Sequence, residues 1–459
     1  MPDIHNPTAP VRTAHAGVRG FRADALYFDA QGQAQLQTDA LLVVGPDPRG
    51  VAACEVVLAL GAWADVAPLY PDVPVVHYPD RWLAPGFVDM HSHYPQLDVI
   101  GSPAPGLLPW LEQYTFPAEA RFADAQWAGE RAAFFVRELC RHGITTSLAF
   151  ATSHVASVDA LFGAARARGM RVITGKCLQD QHSPDGVRDQ TEQSLQDTES
   201  LIHRWHGVGR LGYAITPRFV PTSSAAQLAG AGELASQYPD VWVQSHVAEN
   251  ADEIAWVAQM FPTARSYLAV YNQFGLLRKR SVYAHCIHFD APDRDLMTAT
   301  GAAAAICPTS NAFLGSGFFD FTASQGHAMA MGLASDVGGG TSMNVFRTMR
   351  AAYETARVGL ASQGRAAATL SPGYLWWLHT AGAAQALDLE GVVGNLAVGC
   401  EADFVVINPS ATPMLARKAQ VCETLDEQLF AMIVLGDDRL IEHSHVALPT
   451  MPSSNQQTT

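Results

Sequence analysis

The tripeptide HSH occurs twice in this chain of 459 residues, with histidines at positions 91 and 93 and again at positions 443 and 445. Neutral imidazole is the commonest metal ligand in proteins, and strand residues two apart point to the same face. Each pair could therefore give two ligands to one metal ion. The residues around each pair distinguish a metal site from two ordinary histidines.

The first pair, His91 and His93, ends a predicted strand, and three further predicted strands also end in polar residues. These are His246 and Glu249 after VWVQS, His285 after SVYA, and Asp336 after LAS. A single buried histidine is more often a hydrogen-bonded core residue than a ligand, but branched aliphatic side chains are usual inside a barrel. Because several strands depart from that rule at the same end, we predict one site of nitrogen and oxygen ligands, with zinc as the expected ion.

The second pair, His443 and His445, is not accompanied by polar residues at the ends of other predicted strands. It follows the turn signal Gly436-Asp437-Asp438, and no carboxylate or third histidine ends a supporting strand nearby. We therefore predict two surface histidines on a final edge strand, with a structural role.

The elements that would position the first pair repeat about eight times. From LAPGFVDM onward, short apolar runs rich in β-forming residues alternate with longer Ala-rich stretches of helical periodicity. This alternation predicts an α/β fold, namely a TIM (β/α)8 barrel, which we place over residues 81–390. In such a barrel the active site lies at the carboxyl ends of the strands, where the polar residues above fall.

The two ends of the chain have a different pattern. Short apolar runs separated by Gly, Pro and Asp fill residues 19–80, and β-like sequence returns in GNLAVGCEADFVVINP and LFAMIVLGDD. We predict that residues 1–80 and 391–450 together form a small β-sandwich domain beside the barrel. Residues 451–459 are predicted to be a disordered tail.

Composition excludes several classes of function. The net charge is −15 and no Lys/Arg run stands out, which argues against a nucleic-acid partner. The seven cysteines include no CxxC pair, which argues against a disulfide framework and a thiolate zinc site. No apolar stretch approaches the roughly 20 residues that span a bilayer, so we expect a cytoplasmic protein without a membrane partner.

A glycine motif, GVGRLG at residues 207–212, fits the GxGxxG pattern of dinucleotide-binding proteins. It precedes a predicted strand instead of following one, so the helix N-terminus that would hold a pyrophosphate is missing. We predict a loop there and no nucleotide site.

Several motifs together resemble the amidohydrolase superfamily and, within it, the guanine deaminase family. They are PGFVDMHSHYPQ, TPRF, QSHVAEN, AHCIH, CPTSN, GSGFFD and SDVGGG, and the similarity extends from about residue 80 to about residue 442. HxH with a later His and Asp marks only the superfamily, whereas HYPQ and TPRF are the narrower signals. SDVGGG departs from the family, which often has Thr ahead of this Asp, but Asp336 itself is kept.

The resemblance implies hydrolytic deamination of guanine to xanthine and ammonia, by a homodimer with one Zn²⁺ per chain or Fe²⁺ in its place. It implies the metal ligands His91, His93, His246 and Asp336. It further implies Glu249 as proton shuttle, with His285 and Asp336 acting on the attacking water. The residues expected to contact guanine are Gln96, Arg218 and Phe219, with Trp110 as a further stacking residue and the ligands His93 and His246 bordering the base.

Alternatives within and outside the superfamily remain open at this point. Another amino-heterocycle, such as 8-oxoguanine, a pterin or a triazine, would use the same zinc and the same Glu249. An inactive barrel kept as a scaffold would have lost a ligand or the shuttle, and neither is lost.

A binuclear site would need a carbamylated lysine on the fourth strand, but Lys176 ends the third strand and Arg218 follows the fourth, which predicts a single metal ion. A deaminase of the cytidine type is excluded because neither HxE nor PCxxC occurs.

Overall fold

The computed structural model of the chain describes residues 17–103, 105–362, 364 and 367–449, so the tail predicted at 451–459 lies outside the described residues. The strands in these ranges are β1 (Arg19–Phe28), β2 (Ala34–Pro46), β3 (Glu55–Ala62), β4 (Val75–Pro85), β5 (Phe87–His93), β6 (Ile144–Phe150), β7 (Arg171–Gly175), β8 (Cys177–Leu178), β9 (Gly212–Pro217), β10 (Trp242–Val247), β11 (Ser281–His285), β12 (Ala303–Ile306), β13 (Ala330–Leu333), β14 (Phe404–Ile407) and β15 (Ile441–His445).

The α-helices in the same ranges are α1 (Trp63–Val66), α2 (Leu107–Trp110), α3 (Phe116–Ala120), α4 (Ala125–Arg141), α5 (Val155–Arg168), α6 (Thr191–Trp205), α7 (Ala225–Gln237), α8 (Ala251–Met260), α9 (Tyr267–Gln273), α10 (Ala291–Thr300), α11 (Pro308–Phe313), α12 (Phe321–Gly326), α13 (Val345–Ser362), α14 (Pro372–Leu378), α15 (Ala381–Ala386), α16 (Pro413–Ala419) and α17 (Leu425–Leu435). Short 3₁₀ turns lie at Ala67–Leu69, Tyr94–Val99, Arg121–Ala123, Val220–Thr222 and Asp438–Leu440, and a π-helical turn at Leu111–Thr115. Among the described helices, none combines the length and apolar character needed to cross a membrane.

Eight parallel strands form the predicted barrel, in the order β5, β6, β7, β9, β10, β11, β12, β13. Every residue of β5, β6 and β9 is buried, because helices cover the outer face of these strands and side chains fill the barrel interior. The chain that follows β13 closes the ring against β5. The Asp336 N–H donates to the His91 carbonyl oxygen at 2.8 Å, and the His93 N–H donates to the Val337 carbonyl oxygen at 2.5 Å.

Strands from both ends of the chain form a second sheet, in the order β15, β14, β4, β1, β2, β3. Isolated bridges from Cys54 to Pro449 and from Val56 to Glu401 bring its two edges together, so the sheet curls around a core of its own that includes Phe404. This extra domain agrees with the predicted fold class.

The junction between the two domains lies inside one continuous stretch of chain. Strand β4 pairs with β1 and β14 across the predicted boundary at residue 80, and Gly86 then leads directly into β5. The Gly86 N–H donates to the Asp403 carbonyl oxygen at 3.0 Å. A Cβ at Gly86 would collide with the Thr145 side chain, so only glycine allows this close passage.

The apolar run LFAMIVL, predicted as a strand, is helical, and that prediction was wrong. It lies in α17, whose N-terminus carries a capping box between Thr424 and Glu427. Leu429, Met432 and Ile433 are buried by this helix. The pattern of Thr followed three residues later by Glu before an apolar run was present in the sequence and indicates a helix start.

The later HSH lies on β15, which is an edge strand as predicted, but only His443 is exposed. His445 is buried, so its prediction as a surface residue was wrong. Its ring stacks on Phe404 at 4.5 Å, and its Nε2 lies 3.3 Å from Glu55 Oε2. The closed edges of the second sheet bury this histidine, which the local sequence could not show.

Two arginines, Arg210, which is buried, and Arg171, which is partly buried, join the second sheet to the amino ends of the barrel strands. Arg210 Nε donates to Glu401 Oε2 at 2.8 Å and its Nη1 to Asp403 Oδ1 at 3.0 Å, while Arg171 Nη2 donates to Glu401 Oε1 at 2.5 Å. The Ala447 N–H also donates to Asp403 Oδ1, at 2.9 Å. Two positive and two negative groups therefore neutralise one another at this end of the barrel.

Candidate active site

Four potential metal ligands converge at the carboxyl end of the barrel. The donor atoms of His91, His93, His246 and Asp336 all lie within 4.8 Å of one another and are buried. His93 Nε2 lies 3.1 Å from both His91 Nε2 and His246 Nε2, and Asp336 Oδ1 lies 3.1 Å from His91 Nε2. Tetrahedral ligands at about 2.1 Å from one ion are separated by about 3.4 Å, so this donor set fits a metal ion.

The environment keeps His93 and His246 in the neutral form that binds metals. Burial lowers the pKa of His93 to about 4, and burial together with the neighbouring imidazoles holds the pKa of His246 well below its ordinary value. The Nδ1–H of His246 donates to the Arg218 carbonyl oxygen at 2.6 Å. Because a carbonyl oxygen only accepts, the proton of His246 is on Nδ1 and its Nε2 lone pair faces the cluster.

Asp89, two residues before His91 on β5, holds the chain segment that carries Asp336 in place. Its carboxylate accepts hydrogen bonds from the Ser335 N–H at 2.9 Å and the Ser335 hydroxyl at 2.6 Å. Asp336 follows directly, so this contact fixes the end of the last barrel strand against the first.

Glu249 lies beside His285 at the rim of the cluster. The distance from His285 Nε2 to Glu249 Oε2 is 3.4 Å, and the Ser316 hydroxyl donates to Glu249 Oε1 at 3.1 Å. Burial, with the negative charge of Asp336 nearby, raises the pKa of Glu249 to about 8. This carboxyl group can therefore hold or release a proton near neutral pH.

Asn311 orients His285. The Nδ1–H of His285 donates to Asn311 Oδ1 at 2.9 Å, which leaves the Nε2 lone pair of His285 directed toward Glu249 and Asp336. His285 is thereby an acceptor on the side that faces the cluster.

A pocket opens directly above these groups. Its apolar wall is formed by Leu107, Trp110, Leu111, Phe219 and Leu314. Gln96 and Arg218, the residues predicted to contact a base, form its polar side together with Glu249 and Glu253. The pocket combines flat apolar surfaces with a few fixed polar groups, which is typical of a site for a small heterocycle.

Strained backbone is concentrated at this end of the barrel. Ala248, His285, Cys286 and Asp336 all have positive φ, between 48° and 73°. Such conformations cost about 1–3 kcal/mol each for residues with a side chain and are typical of active sites. Three of these residues directly follow or end a barrel strand. The unusual backbone conformation therefore lies where the chain positions side chains at the pocket.

The structure brings every predicted site residue to this one place. The second HSH pair lies on β15 in the second sheet. Lys176 lies outside this cluster, and its Nζ donates to Asp189 Oδ1 at 2.5 Å. Sequence reasoning missed Glu119, Asn311 and Ser316, which contact predicted site residues. Asn311 and Ser316 lie within CPTSN and GSGFFD, so these motifs could have indicated them, whereas Glu119 lies in none of the motifs that carry the resemblance.

The comparisons with known proteins agree with this geometry. The family model "Amidohydrolase family" matches residues 82–436. The chain belongs to the amidohydrolase family. The matched residues include all eight strands of the barrel, and the match begins just before β5.

Relatives within the amidohydrolase family extend the similarity to most of the chain. Guanine deaminase of Escherichia coli (strain K12) is 43% identical over 387 residues, which are 84% of this chain and 87% of that protein. The solved structure of the E. coli guanine deaminase superposes with a TM-score of 0.87 at 40% identity, covering 93% of this chain and 98% of that one. A guanine deaminase from C. acetobutylicum with guanine bound in the active site gives a TM-score of 0.85 at 28% identity, covering 94% and 100%.

Proposed function

We propose that this protein is a zinc-dependent guanine deaminase, which hydrolyses guanine to xanthine and ammonia. The observation that carries the proposal is the position of Gln96 and Arg218 in the same small pocket as the cluster of three histidines and one aspartate. The similarity to guanine deaminases over more than four fifths of the chain supports the same substrate.

His91, His93, His246 and Asp336 would hold the metal ion. Three neutral imidazoles and one carboxylate are a donor set typical of zinc, with Fe²⁺ as the alternative ion. A bound zinc ion supplies Lewis-acid chemistry that lowers the pKa of water from about 15.7 to about 7. We infer one ion per chain, because Lys176 is held by Asp189 and is not available as a bridging ligand.

Glu249 and His285 would manage the protons of the reaction. A water that attacks an aminated ring carbon gives up both of its protons as its oxygen becomes a carbonyl oxygen, and the ring nitrogen and the departing amine each gain one of them. Glu249, with its pKa of about 8, can take the first proton from the water and deliver it to the ring N3, and can then carry the second proton to the amine. His285 Nε2 and Asp336 would accept hydrogen bonds from the same water and orient it.

Arg218 and Gln96 would select the base. Arg218 has only donors and suits the O6 carbonyl oxygen of guanine, whereas Gln96 both donates and accepts. Phe219 and Trp110 line the apolar wall and would pack against the flat ring. A site built on such hydrogen bonds rejects analogues that lack them by up to about 10⁴-fold or more.

Ammonia release by purified zinc-loaded protein tests the proposal. We expect turnover of guanine and weak or no turnover of adenine, cytosine and the triazine ammeline, with 8-oxoguanine as the closest competitor in shape. Turnover of another base without turnover of guanine would contradict the substrate. Metal analysis should return close to one ion per chain, and size measurement in solution should show a homodimer.

A further inference from the structure

Glu119, on α3, joins the two residues that face the base. The carboxylate is buried, with 1% of the residue exposed. Gln96 Nε2 donates to Glu119 Oε1 at 2.9 Å, and Arg218 Nη1 donates to Glu119 Oε2 at 2.6 Å. Each of its two oxygens thus holds one of the residues proposed to recognise the substrate.

This carboxylate fixes the orientation of the Gln96 amide. A carboxylate only accepts, so the amide nitrogen of Gln96 must face Glu119. On the other side, the Gly338 N–H donates to Gln96 Oε1 at 3.3 Å, and a backbone N–H only donates. Both neighbours therefore select the same orientation of the amide, and the donor and the acceptor that remain for a ligand are fixed in place.

Glu119 also balances the charge of Arg218. The guanidinium is buried, with 3% of the residue exposed, and it lies over the Phe116 ring at 5.1 Å. Among the described residues, Glu119 is the carboxylate in ion pair with Arg218. A buried arginine without this partner would attract anions into the pocket.

We propose that Glu119 is a positioning residue that makes the pocket select a neutral base with a carbonyl oxygen at Arg218. It acts by fixing the hydrogen-bonding pattern of Gln96 and by cancelling the charge of Arg218, so that anionic purines gain no advantage. This inference rests on the proposed guanine deaminase activity and adds a determinant of its specificity.

The substitution Glu119→Gln separates these effects from simple packing. Glutamine has nearly the same shape but offers one acceptor and one donor where Gln96 and Arg218 both require an acceptor. One of the two must lose its partner. We expect KM for guanine to rise about ten- to hundredfold while kcat changes less, because the metal cluster and Glu249 are not contacted by Glu119.

The pH dependence of inhibition by xanthine and hypoxanthine gives a second measurement, which a simple loss of packing would not change. Xanthine loses a proton as pH rises through neutrality, whereas hypoxanthine stays neutral over the same range. We expect xanthine inhibition relative to hypoxanthine to strengthen with pH in Glu119→Gln and not in the wild type. Glu119→Asp keeps the negative charge, so we expect it to retain the wild-type pattern with a smaller rise in KM.

Glu112→Gln is the matched control, since Glu112 is exposed on the preceding π-helical turn. Metal content and the thermal unfolding midpoint confirm that each variant is folded. If Glu119→Gln does not fold, KM for guanine is measured on Glu119→Asp instead. A wild-type KM with a wild-type inhibition ratio in Glu119→Gln, or a wild-type KM in Glu119→Asp, would overturn this inference alone. Failure of the wild type and of Glu112→Gln to deaminate guanine would instead overturn the proposed function.

Discussion

Two clusters of buried polar groups lie at opposite ends of the same barrel. At the amino ends of the strands, Arg171 and Arg210 meet Glu401 and Asp403, and each charge has an opposite charge within hydrogen-bond distance. At the carboxyl ends, three imidazole nitrogens and a carboxylate oxygen lie within 4.8 Å of one another. The first cluster is complete within the chain, whereas the second would be completed by a metal ion.

The difference shows how a buried polar cluster can be assigned a role. Groups that satisfy one another fix the geometry of two domains but offer nothing to a ligand. Groups that compete for the same point, on backbone strained at Ala248, His285 and Asp336, are destabilising unless a ligand binds. Changes at the carboxyl end should therefore affect activity and the stabilisation by bound metal, whereas changes at the amino end should affect stability alone.

The largest expected effect is on turnover at the carboxyl end. Glu249→Gln removes the group proposed to carry protons while keeping its size, so kcat should fall by about 10²- to 10⁴-fold. The four metal ligands are untouched, and the zinc content should stay at the wild-type level. Steady-state ammonia release and metal analysis of the same preparation measure both. Near wild-type turnover would remove Glu249 from the mechanism.

At the opposite end, Arg210→Met should act on stability alone. It leaves Asp403 buried without its main partner, which typically costs about 3–5 kcal/mol of unfolding free energy. Urea unfolding measures the loss, and kcat per zinc-loaded chain should be unchanged. Arg350→Met is the control, because the Arg350 pair with Glu354 is exposed and should contribute less than about 1 kcal/mol. An equal effect of the two substitutions would contradict the structural role given to Arg210.

The residues at the carboxyl end were largely predictable from the sequence. Ligands at the ends of parallel strands leave a local signal, since each interrupts an apolar run at the point where the strand stops. His91, His93 and Asp336 could be found in this way without any knowledge of the ring that joins them.

The arginine network and Glu119 were not predictable. Arg210 and Asp403 are far apart in the chain, and nothing near either residue indicates the other. The same holds for Glu119, which lies 99 residues from Arg218. Helix α17 is a different case, since its capping box was visible in the sequence but its apolar run favoured a strand.

Removal of the metal should destabilise the protein through the carboxyl end only. Zinc that binds the folded chain at about 100 times its dissociation constant stabilises it by about 2.7 kcal/mol. Zinc added to chelator-treated protein should raise the unfolding midpoint in the wild type and in Arg210→Met. The same addition should have little effect on His93→Ala, which lacks one ligand. Equal stabilisation of His93→Ala would show that zinc binds elsewhere.

Acidic pH should lower the unfolding free energy of the protein, because Glu401 at the amino end of the barrel becomes protonated. Burial raises the pKa of Glu401, but Arg210 and Arg171 outweigh it and hold this pKa below its ordinary value. The stabilisation is therefore complete above the unfolded pKa of about 4.3 and is lost as pH falls through the lower, folded pKa. Urea unfolding between neutral and acidic pH should show a smaller loss on acidification for Glu401→Gln than for the wild type. The same loss in both proteins would show that other groups account for it.

The smallest expected effect separates the two histidines of the second HSH. His445→Ala removes a ring stacked on Phe404 and one partner of Glu55, but Arg19 still donates to Glu55 at 2.7 Å, so a loss of about 1 kcal/mol is expected. His443→Ala alters an exposed residue and should change the unfolding free energy by less than about 0.5 kcal/mol. Neither should alter zinc content or turnover, in contrast to His93→Ala in the first HSH. A loss of zinc in either variant would mean that the identical tripeptides share a function, which their different surroundings argue against.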